Sequence, residues 1–179
     1  MLASAAALSV RTAQDEIRFA FGESSLGLVL VGVSEKGVRT IFLGDERDAL
    51  RSALEHRYPR ARLKSAAGDL DGAVREVVAL IENPRRGFDP PLDVRGTSFQ
   101  ERVWDALRRI PVGKTATYAE IARSIGAPQA VRAIAQACGA NPLAVVIPCH
   151  RVLRSDGDIS GYRWGVERKR QLLARERLA

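Results

Sequence analysis

A run rich in proline and glycine divides this chain of 179 residues near its middle. The run covers residues 83–91 and reads Asn-Pro-Arg-Arg-Gly-Phe-Asp-Pro-Pro. Proline interrupts both helices and sheet ladders, so this composition predicts a loop. We therefore expect two domains, residues 1–93 with a linker at about 83–93, and residues 94–179.

The first half carries the pattern of a small α/β domain. Ile17, Phe19 and Phe21 alternate with other residues, which is typical of a strand. Turn-forming residues then separate two further strands, at 26–33 and 38–43. Apolar residues at helical spacing predict two helices, one through Leu50, Ala53, Leu54 and Arg57 and one through Val74, Val77, Val78 and Ile81. We expect a three-stranded sheet with helices against it, and a frayed end at about residues 1–15.

The second half reads as mainly α-helical. Ser98 followed by Glu101 has the spacing of a capping box, which predicts the start of a helix that ends before Pro111. A last helix is expected from about Val166 to Leu178. The first half, by contrast, carries no catalytic constellation, and we expect it to provide structural support.

Two short helices in the middle of this half resemble a helix-turn-helix. The first is predicted over residues 117–126, and the second begins near Pro128 and runs to Gly139. Arg132 and Gln136 fall off the apolar stripe of the second helix, so they could face DNA. Many helical hairpins share this pattern.

A cysteine and a histidine stand side by side at Cys149 and His150. The apolar residues 144–146 just before them read as a short buried strand, and Pro148 must end it. A free thiol titrates near 8.5 and is a weak nucleophile until a base removes its proton. The pair is therefore a candidate nucleophile and base, although neighbouring side chains rarely point at one another. The other cysteine, Cys138, is expected to be a small core residue.

Charge is distributed unevenly along the chain. Residues 1–93 carry 13 Lys and Arg against 14 Asp and Glu, whereas residues 94–179 carry 15 against 7. The whole excess of +7 thus lies in the second half. This indicates a polyanionic partner, nucleic acid first, with a solvated basic face as the alternative.

Two cysteines do not make a disulfide framework, which favours a reducing compartment. No stretch approaches the roughly 18 apolar residues of a membrane span. The N-terminal residues lack the basic region of a signal peptide. We expect a cytoplasmic protein that makes no contact with a membrane.

From about Ile17 to Glu176 the chain resembles the O6-alkylguanine-DNA alkyltransferases, and within them the C-terminal half of the bacterial adaptive-response protein. The matching segments are Pro-Leu-Asp-Val-Arg-Gly-Thr-Ser-Phe-Gln at 91–100, Ile-Pro-Val-Gly-Lys-Thr at 110–115, Ala-Val-Arg-Ala at 130–133, Ile-Pro-Cys-His-Arg-Val at 147–152 and Ser-Gly-Tyr-Arg-Trp-Gly-Val at 160–166. The last two segments are highly specific in combination.

This resemblance implies an N-terminal α/β domain with a ribonuclease H-like sheet, and a mainly α C-terminal domain with a helix-turn-helix that binds DNA. It also implies a single-turnover repair reaction. An alkyl group on guanine O6, or less readily on thymine O4, passes to the active-site cysteine and stays there. The DNA partner would be double-stranded and bound by a monomer in the minor groove, where sequence is barely readable.

The resemblance assigns the reaction to a small set of residues. Cys149 is the implied acceptor, and His150 the general base, through a water, with Glu176 orienting its ring. Tyr118 would face the guanine, supply a proton to it and help to rotate the nucleotide outward. Asn141 would tie the helix-turn-helix to the active-site loop.

The resemblance also implies contacts with the flipped nucleotide. Arg132 matches an arginine that fills the gap left in the base stack, beside Gln136 on the DNA-facing side. Backbone groups of Val152 and Arg163 match positions that hydrogen-bond the guanine. An O6-alkyl group lies inside the duplex, so the base must be flipped out.

Neither a metal nor a cofactor is expected. Some members of the family hold zinc in the first half through cysteine and histidine. Here that half has no cysteine and only His56, which cannot build a tetrahedral site. The regulatory modules of the adaptive-response protein lie outside the matched portion, so a direct transcriptional role is not expected.

Three functions remain open from the residues alone. The first is the suicide alkyltransferase. The second is a non-enzymatic DNA-binding or regulatory helix-turn-helix module. The third is a cysteine hydrolase in which Cys149 and His150 carry out acyl transfer.

Overall fold

The computed structural model describes residues 15–159 and 161–178. Most of the expected frayed end, residues 1–14, and Ser160 of the last motif lie outside the described residues. Asp15 does not belong to a frayed end, because its carboxylate pairs with Arg39 at 3.0 Å. Arg39 also pairs with the buried Asp93 at 2.8 Å, which ties the first strands to the end of the linker.

The first half contains a four-stranded sheet. Its strands are β1 (Glu16–Ser24), β2 (Gly27–Ser34), β3 (Gly37–Gly44) and β4 (Arg62–Ser65), in the order β3-β2-β1-β4. The three predicted strands are confirmed as an antiparallel meander. The expectation of three strands was wrong, because β4 adds to β1 in parallel. It was missed since its residues are mostly exposed and show no apolar alternation.

Two helices accompany this sheet, as predicted. They are α1 (Arg47–Arg57), which buries Leu50 and Leu54, and α2 (Asp71–Glu82). The apolar stripe of α2 is buried at Val74, Val77, Leu80 and Ile81. The linker itself includes a short 3-10 helix at Pro84–Arg86.

The second half is mainly helical, as expected. Its helices are α3 (Ser98–Arg108), α4 (Tyr118–Ser124), α5 (Val131–Gly139) and α6 (Val166–Leu178). Two short strands, β5 (Ala116–Thr117) and β6 (Val152–Leu153), pair in parallel. The capping box of α3 lies one residue earlier than predicted, because Thr97 and Gln100 form it instead of Ser98 and Glu101.

The pair α4 and α5 occupies the predicted positions, with a later start of the second helix. α5 begins at Val131 rather than near Pro128, since the intervening residues form a turn. Its buried side is Ile134, Ala137 and Cys138, while Val131 is exposed. Gly126 adopts a φ of 70° just past α4, the left-handed conformation expected at a helix end.

The buried apolar residues of both halves form one hydrophobic cluster. Trp104 and Trp164 lie within it as packing residues. Trp104 also donates its indole N–H to the carbonyl of Ala137 at 2.9 Å, which fastens α3 to α5. Within residues 15–159 and 161–178, none of the helices combines the length and the apolar character needed to span a bilayer.

Candidate active site

A cavity of about 520 Å³ opens beside Cys149, between α4, α5 and the loop that follows β6. Its lining residues are Tyr118, Ala135, Cys138, Gly139, Cys149, Arg154, Gly161, Tyr162 and Arg163. The structure thus brings Tyr118, Cys149 and Arg163 together from distant parts of the sequence. The volume lies in the range of small-ligand sites and is sufficient for a nucleobase.

The segment that leads to Cys149 is irregular. Residues 144–146 were predicted as a buried strand, and this was wrong: they form a turn in which Val145 has a φ of 69°. A β-branched residue in the left-handed region costs roughly 1–3 kcal/mol, and it persists only where its surroundings impose it. The apolar character that suggested a strand reflects burial alone.

Asn141 fastens this segment from the end of α5. Its Nδ2 donates to the carbonyl of Ile147 at 2.8 Å and to the sulfur of Cys149 at 3.2 Å. Its Oδ1 accepts from the amide of Leu143 at 2.8 Å. The side chain is fully buried and therefore uses both ends of its amide to hold the loop.

Burial of Cys149 governs the ionisation of its thiol. The side chain is buried, and this desolvation raises the pKa of Cys149 to about 11. The hydrogen bond from Asn141 and the positive charge of Lys169 offset only part of that rise. The thiol is therefore protonated at neutral pH, and it needs a base before it can act as a nucleophile.

His150 and Glu176 supply a base of the required kind. Nε2 of His150 lies 2.7 Å from Oε1 of Glu176, and both side chains are buried. Although burial opposes ionisation, the hydrogen bonds from His150 and Arg151 lower the pKa of Glu176 to about 2. The carboxylate is thus charged and accepts a proton-bearing Nε2.

The other ring nitrogen of His150 is consequently the basic one. Burial lowers the pKa of His150, so its imidazole is neutral at physiological pH. With the proton on Nε2, the lone pair is on Nδ1. Nδ1 is buried and has no hydrogen-bond partner among the described residues. It is the atom that can take a proton from a neighbouring group.

Arg151 is a site residue that the sequence analysis missed. Its Nε lies 2.9 Å from Oε2 of Glu176, its Nη2 lies 2.9 Å from Oε1, and its Nη1 donates to the carbonyl of Ile110 at 2.6 Å. The guanidinium therefore orients the carboxylate that orients His150. The residue directly follows the Cys-His pair, but its partner lies 25 residues away and only the fold reveals it.

Gly113 closes the far side of this carboxylate. Its amide donates to Oε2 of Glu176 at 3.3 Å, and its φ is 78°. A Cβ at this position would lie 3.1 Å from the main-chain oxygen of Glu176. The turn at residues 111–114, which follows α3, thus needs glycine for both its conformation and its close approach to α6.

Lys169 is the second residue that the sequence analysis missed. Its side chain is fully buried, and Nζ donates to the carbonyl of Val152 at 2.6 Å and to that of Gly161 at 3.4 Å. Burial lowers the pKa of Lys169. A signal was available, since Lys169 shares the buried side of α6 with Leu172 and Leu173, where a lysine is unusual.

Helix α6 connects the site to the first half of the chain. Lys169 and Glu176 lie seven residues apart and so share one side of the helix, whereas Arg168 and Arg175 share a neighbouring side. These arginines donate to main-chain oxygens of the first half. The partners are Leu26 for Arg168 and Ile81 for Arg175, each at 2.8 Å.

The residues expected to touch DNA are exposed on α5, one of the walls of the cavity. Arg132 and Gln136 are both exposed. Arg132 stands three residues before Ala135 and seven before Gly139, both of which line the cavity. Arg132 is therefore aligned with the cavity wall, one turn nearer the start of the helix.

The two positions expected to bind the base differ in their surroundings. Val152 is buried in β6, and its carbonyl accepts from Lys169. The guanidinium of Arg163 lies over the rings of Phe42 and Trp164, 5.1 and 5.8 Å from their centroids. Among the described residues, no group of three or more His, Cys, Asp or Glu is placed to hold a metal ion.

Comparison with known proteins relates this geometry to a family. The profile described as "6-O-methylguanine DNA methyltransferase, DNA binding domain" matches residues 98–178. The chain is 38% identical over 153 residues to the inducible methylated-DNA–protein-cysteine methyltransferase of Bacillus subtilis, covering 86% of this chain and 80% of that protein.

Two further similarities extend the comparison. The chain is 50% identical over 160 residues to the bifunctional transcriptional activator/DNA repair enzyme Ada of Escherichia coli. The matched region covers 89% of this chain but only 45% of Ada. This chain thus spans less than half the length of that relative. The crystal structure of Mycobacterium tuberculosis OGT in complex with DNA superimposes with a TM-score of 0.75 and 36% identity, covering 91% of this chain and 93% of OGT.

Proposed function

Because the chain belongs to the family of methylated-DNA–protein-cysteine methyltransferases, we propose that it repairs DNA by moving an alkyl group from guanine O6, and from thymine O4, onto its own Cys149. The observation that carries the proposal is a buried thiol on a base-sized cavity, next in the chain to a histidine held by an ionised carboxylate. The transfer is irreversible, so each molecule reacts once. The fold, a small mixed sheet with helices, is that of the OGT structure.

The reaction begins with removal of the thiol proton. Nδ1 of His150 takes this proton through a bridging water, and Glu176 stabilises the positive ring that results. Asn141 donates to the sulfur and so stabilises the thiolate as it forms. The sulfur then attacks the saturated carbon, the carbon–O6 bond breaks, and the electron pair stays on the guanine.

Tyr118 assists departure of the guanine. Burial raises the pKa of Tyr118 to about 12, so its hydroxyl remains a proton-bearing donor on the wall of the cavity. A hydrogen bond to the departing base offsets the negative charge that develops there. Tyr118 passes its proton to the departing guanine and regains one from the protonated His150 through water, while the alkyl group stays on the sulfur as a thioether.

Access to the cavity requires the damaged nucleotide to leave the duplex. We propose that α4 and α5 act as a helix-turn-helix whose second helix lies in the minor groove, with Arg132 filling the gap in the stack and Gln136 beside it. Backbone groups of Val152 and Arg163 then hold the flipped base. The alignment of Arg132 with the cavity wall supports this placement.

The two halves of the chain have different tasks in this proposal. Residues 1–93 form a supporting domain of ribonuclease H-like type, which the parallel addition of β4 to an antiparallel meander supports. Residues 94–179 bind DNA as a monomer and accept the alkyl group, in the cytoplasm and associated with the nucleoid. The excess of positive charge in that half supports contact with phosphates.

Replacing Arg132 by alanine should slow repair of duplex DNA about 10- to 100-fold, because the gap that the flipped base leaves in the stack is then unfilled, at a cost of roughly 1–3 kcal/mol. Reaction with the free base O6-methylguanine should change less than twofold, since no base must be flipped. Single-turnover rates on both substrates measure the effect. Arg75→Ala, on an exposed arginine of α2, is the matched control. Equal slowing on both substrates would refute the proposed contact.

The proposed function is tested by mixing the protein with duplex DNA that carries one O6-methylguanine labelled in the methyl group. We expect one label per molecule, located on Cys149 by peptide mass spectrometry, after which the reaction stops. Absence of an adduct on Cys149 would exclude alkyl transfer. Binding of the lesion without reaction would instead favour the DNA-binding module, and repeated hydrolysis of an ester would favour the hydrolase.

A further inference from the structure

The outer edge of the first sheet is occupied by the active-site segment. β3 is the edge strand of the sheet, and its outer side would offer unpaired main-chain groups. Ile41 of β3 instead forms a parallel bridge with Leu143, two residues after Asn141. Val38, nearer the start of the strand, bridges to Leu92 of the linker.

Three hydrogen bonds make this attachment specific. The amide of Ile41 donates to the carbonyl of Pro142 at 2.8 Å, and the amide of Ala144 donates back to the carbonyl of Ile41 at 3.1 Å. The hydroxyl of Thr40 donates to the same oxygen of Pro142 at 3.1 Å, across 102 residues of sequence. Thr40 is fully buried, so no solvent competes for this bond.

The rotamer of Thr40 is made possible by its neighbour in β2. Gly32 leaves space for the methyl group of Thr40, and a Cβ at Gly32 would come within 2.6 Å of that methyl. The hydroxyl is thereby directed to the outer edge of β3, where Pro142 lies. This pairing of a glycine with a buried threonine places a polar group where a valine would satisfy packing equally well.

The attached segment contains a residue in a strained conformation. Val145 is in the left-handed region, and the chain continues from it directly to Cys149. Asn141 restrains the segment only from the side of α5. Main-chain hydrogen bonds within residues 143–149 hold the turn itself, and β3 fixes the segment from outside, at Pro142 and Ala144.

We propose that β3 positions the reacting sulfur, and that Thr40 is a positioning residue for the alkyl transfer to Cys149. The first half of the chain is then part of the active site rather than a passive support. Thr40 acts through Pro142 and touches neither the substrate nor the sulfur. The proposal rests on the proposed function for its rate measurement.

The test compares Thr40→Val, which keeps the volume and removes the donor, with Thr40→Ser, which keeps the donor. We expect Thr40→Val to slow methyl transfer from duplex DNA and from free O6-methylguanine by the same factor, about tenfold, or about 1.4 kcal/mol. The rate of methyl transfer by Thr40→Ser should stay within about threefold of that of the unsubstituted protein. DNA affinity should be unchanged in both, since α5 is not altered.

Alkylation of Cys149 by iodoacetamide, followed across pH, supplies a readout that needs no DNA. We expect the reaction of Thr40→Val to be slower at every pH, because the sulfur is displaced, and that of Thr40→Ser to follow the original profile. If the original protein transfers no methyl group, the proposed function fails, and this readout still decides the role of Thr40.

The positioning role would be overturned if Thr40→Val transferred methyl groups and reacted with iodoacetamide as fast as the unsubstituted protein, both measured well below the melting temperature of the variant. Equal slowing by Thr40→Val and Thr40→Ser would also overturn it, because packing rather than the hydroxyl would then be responsible. If Thr40→Val does not fold, Thr40→Ala removes the same donor and is compared with Thr40→Ser in the same two assays.

Discussion

Replacing Cys149 by serine should abolish alkyl transfer completely. The hydroxyl of serine is far less acidic than a thiol, and it is a much weaker nucleophile than a thiolate toward a saturated carbon. The substitution changes one atom, and Asn141 can still donate to the oxygen, so the fold and the cavity should persist. Intact-protein mass spectrometry after incubation with methylated duplex DNA measures the loss directly.

Cys138→Ser is the matched control for this experiment. Cys138 lines the same cavity, but burial raises its pKa well above the usual range, and no hydrogen bond from Asn141 reaches its sulfur. The Cys138→Ser protein should accept one methyl group at close to the rate of the unsubstituted protein. Transfer to Cys138 in the Cys149→Ser protein would show that the cavity contains two acceptors and would contradict the assignment.

Cys149→Ser also separates repair from binding. The altered protein should still bind methylated DNA, because Arg132 and the basic surface of the second half are untouched. Cells that contain it should lose protection against methylating agents. Full protection by the Cys149→Ser protein would mean that binding alone produces the biological effect.

Replacing Glu176 by glutamine should slow methyl transfer about 100-fold, the contribution typical of a well-placed general base. The neutral amide neither fixes the proton on Nε2 of His150 nor stabilises the imidazolium that forms. Single-turnover kinetics at neutral pH, well below the melting temperature, measure this effect. An unchanged rate would mean that His150 works without its carboxylate.

The same substitution should lower the free energy of unfolding by about 3 kcal/mol at neutral pH, because it leaves the buried guanidinium of Arg151 without a charged partner. The pKa of Glu176 is about 2 in the folded protein, below its ordinary value of 4.5. Its stabilisation is therefore present above pH 4.5 and is lost as the pH falls toward 2. Urea unfolding should show the difference between the two proteins narrowing over that range.

Glu167→Gln provides the control on the same helix. Glu167 is an exposed glutamate of α6 that pairs only with Arg170 and Gln171 on the surface. Its replacement should leave both the transfer rate and the unfolding profile nearly unchanged. A loss as large as that of Glu176→Gln would indicate a general effect of charge on α6.

Local patterns determined most of the secondary structure and the acceptor. Alternation at Ile17, Phe19 and Phe21 corresponds to β1, and the apolar stripe from Val74 to Ile81 corresponds to the buried side of α2. These patterns work because the repeat of a strand or helix selects every second or every third to fourth residue for burial. The Cys149–His150 pair and its neighbouring motif likewise predicted which thiol is the candidate nucleophile.

Only the tertiary structure decided which residues surround and support that thiol. The contact of His150 with Glu176 spans 26 residues and that of Thr40 with Pro142 spans 102, and no periodicity encodes such distances. The same limit explains the missed β4, whose exposed residues gain their place only by pairing with β1. It also explains Val145, where burial was predicted but the left-handed turn was not.

The sequence by itself therefore determined which group we propose as the acceptor, since the thiol and its motif are local properties of the chain. The tertiary structure decided which groups surround it: Arg151 and Gly113 around Glu176, Lys169 beneath the loop, and β3 along the segment before Cys149. The physical reason is that a buried charge or a strained turn is stable only when partners from several elements satisfy it at once. Those partners meet only after the chain has folded.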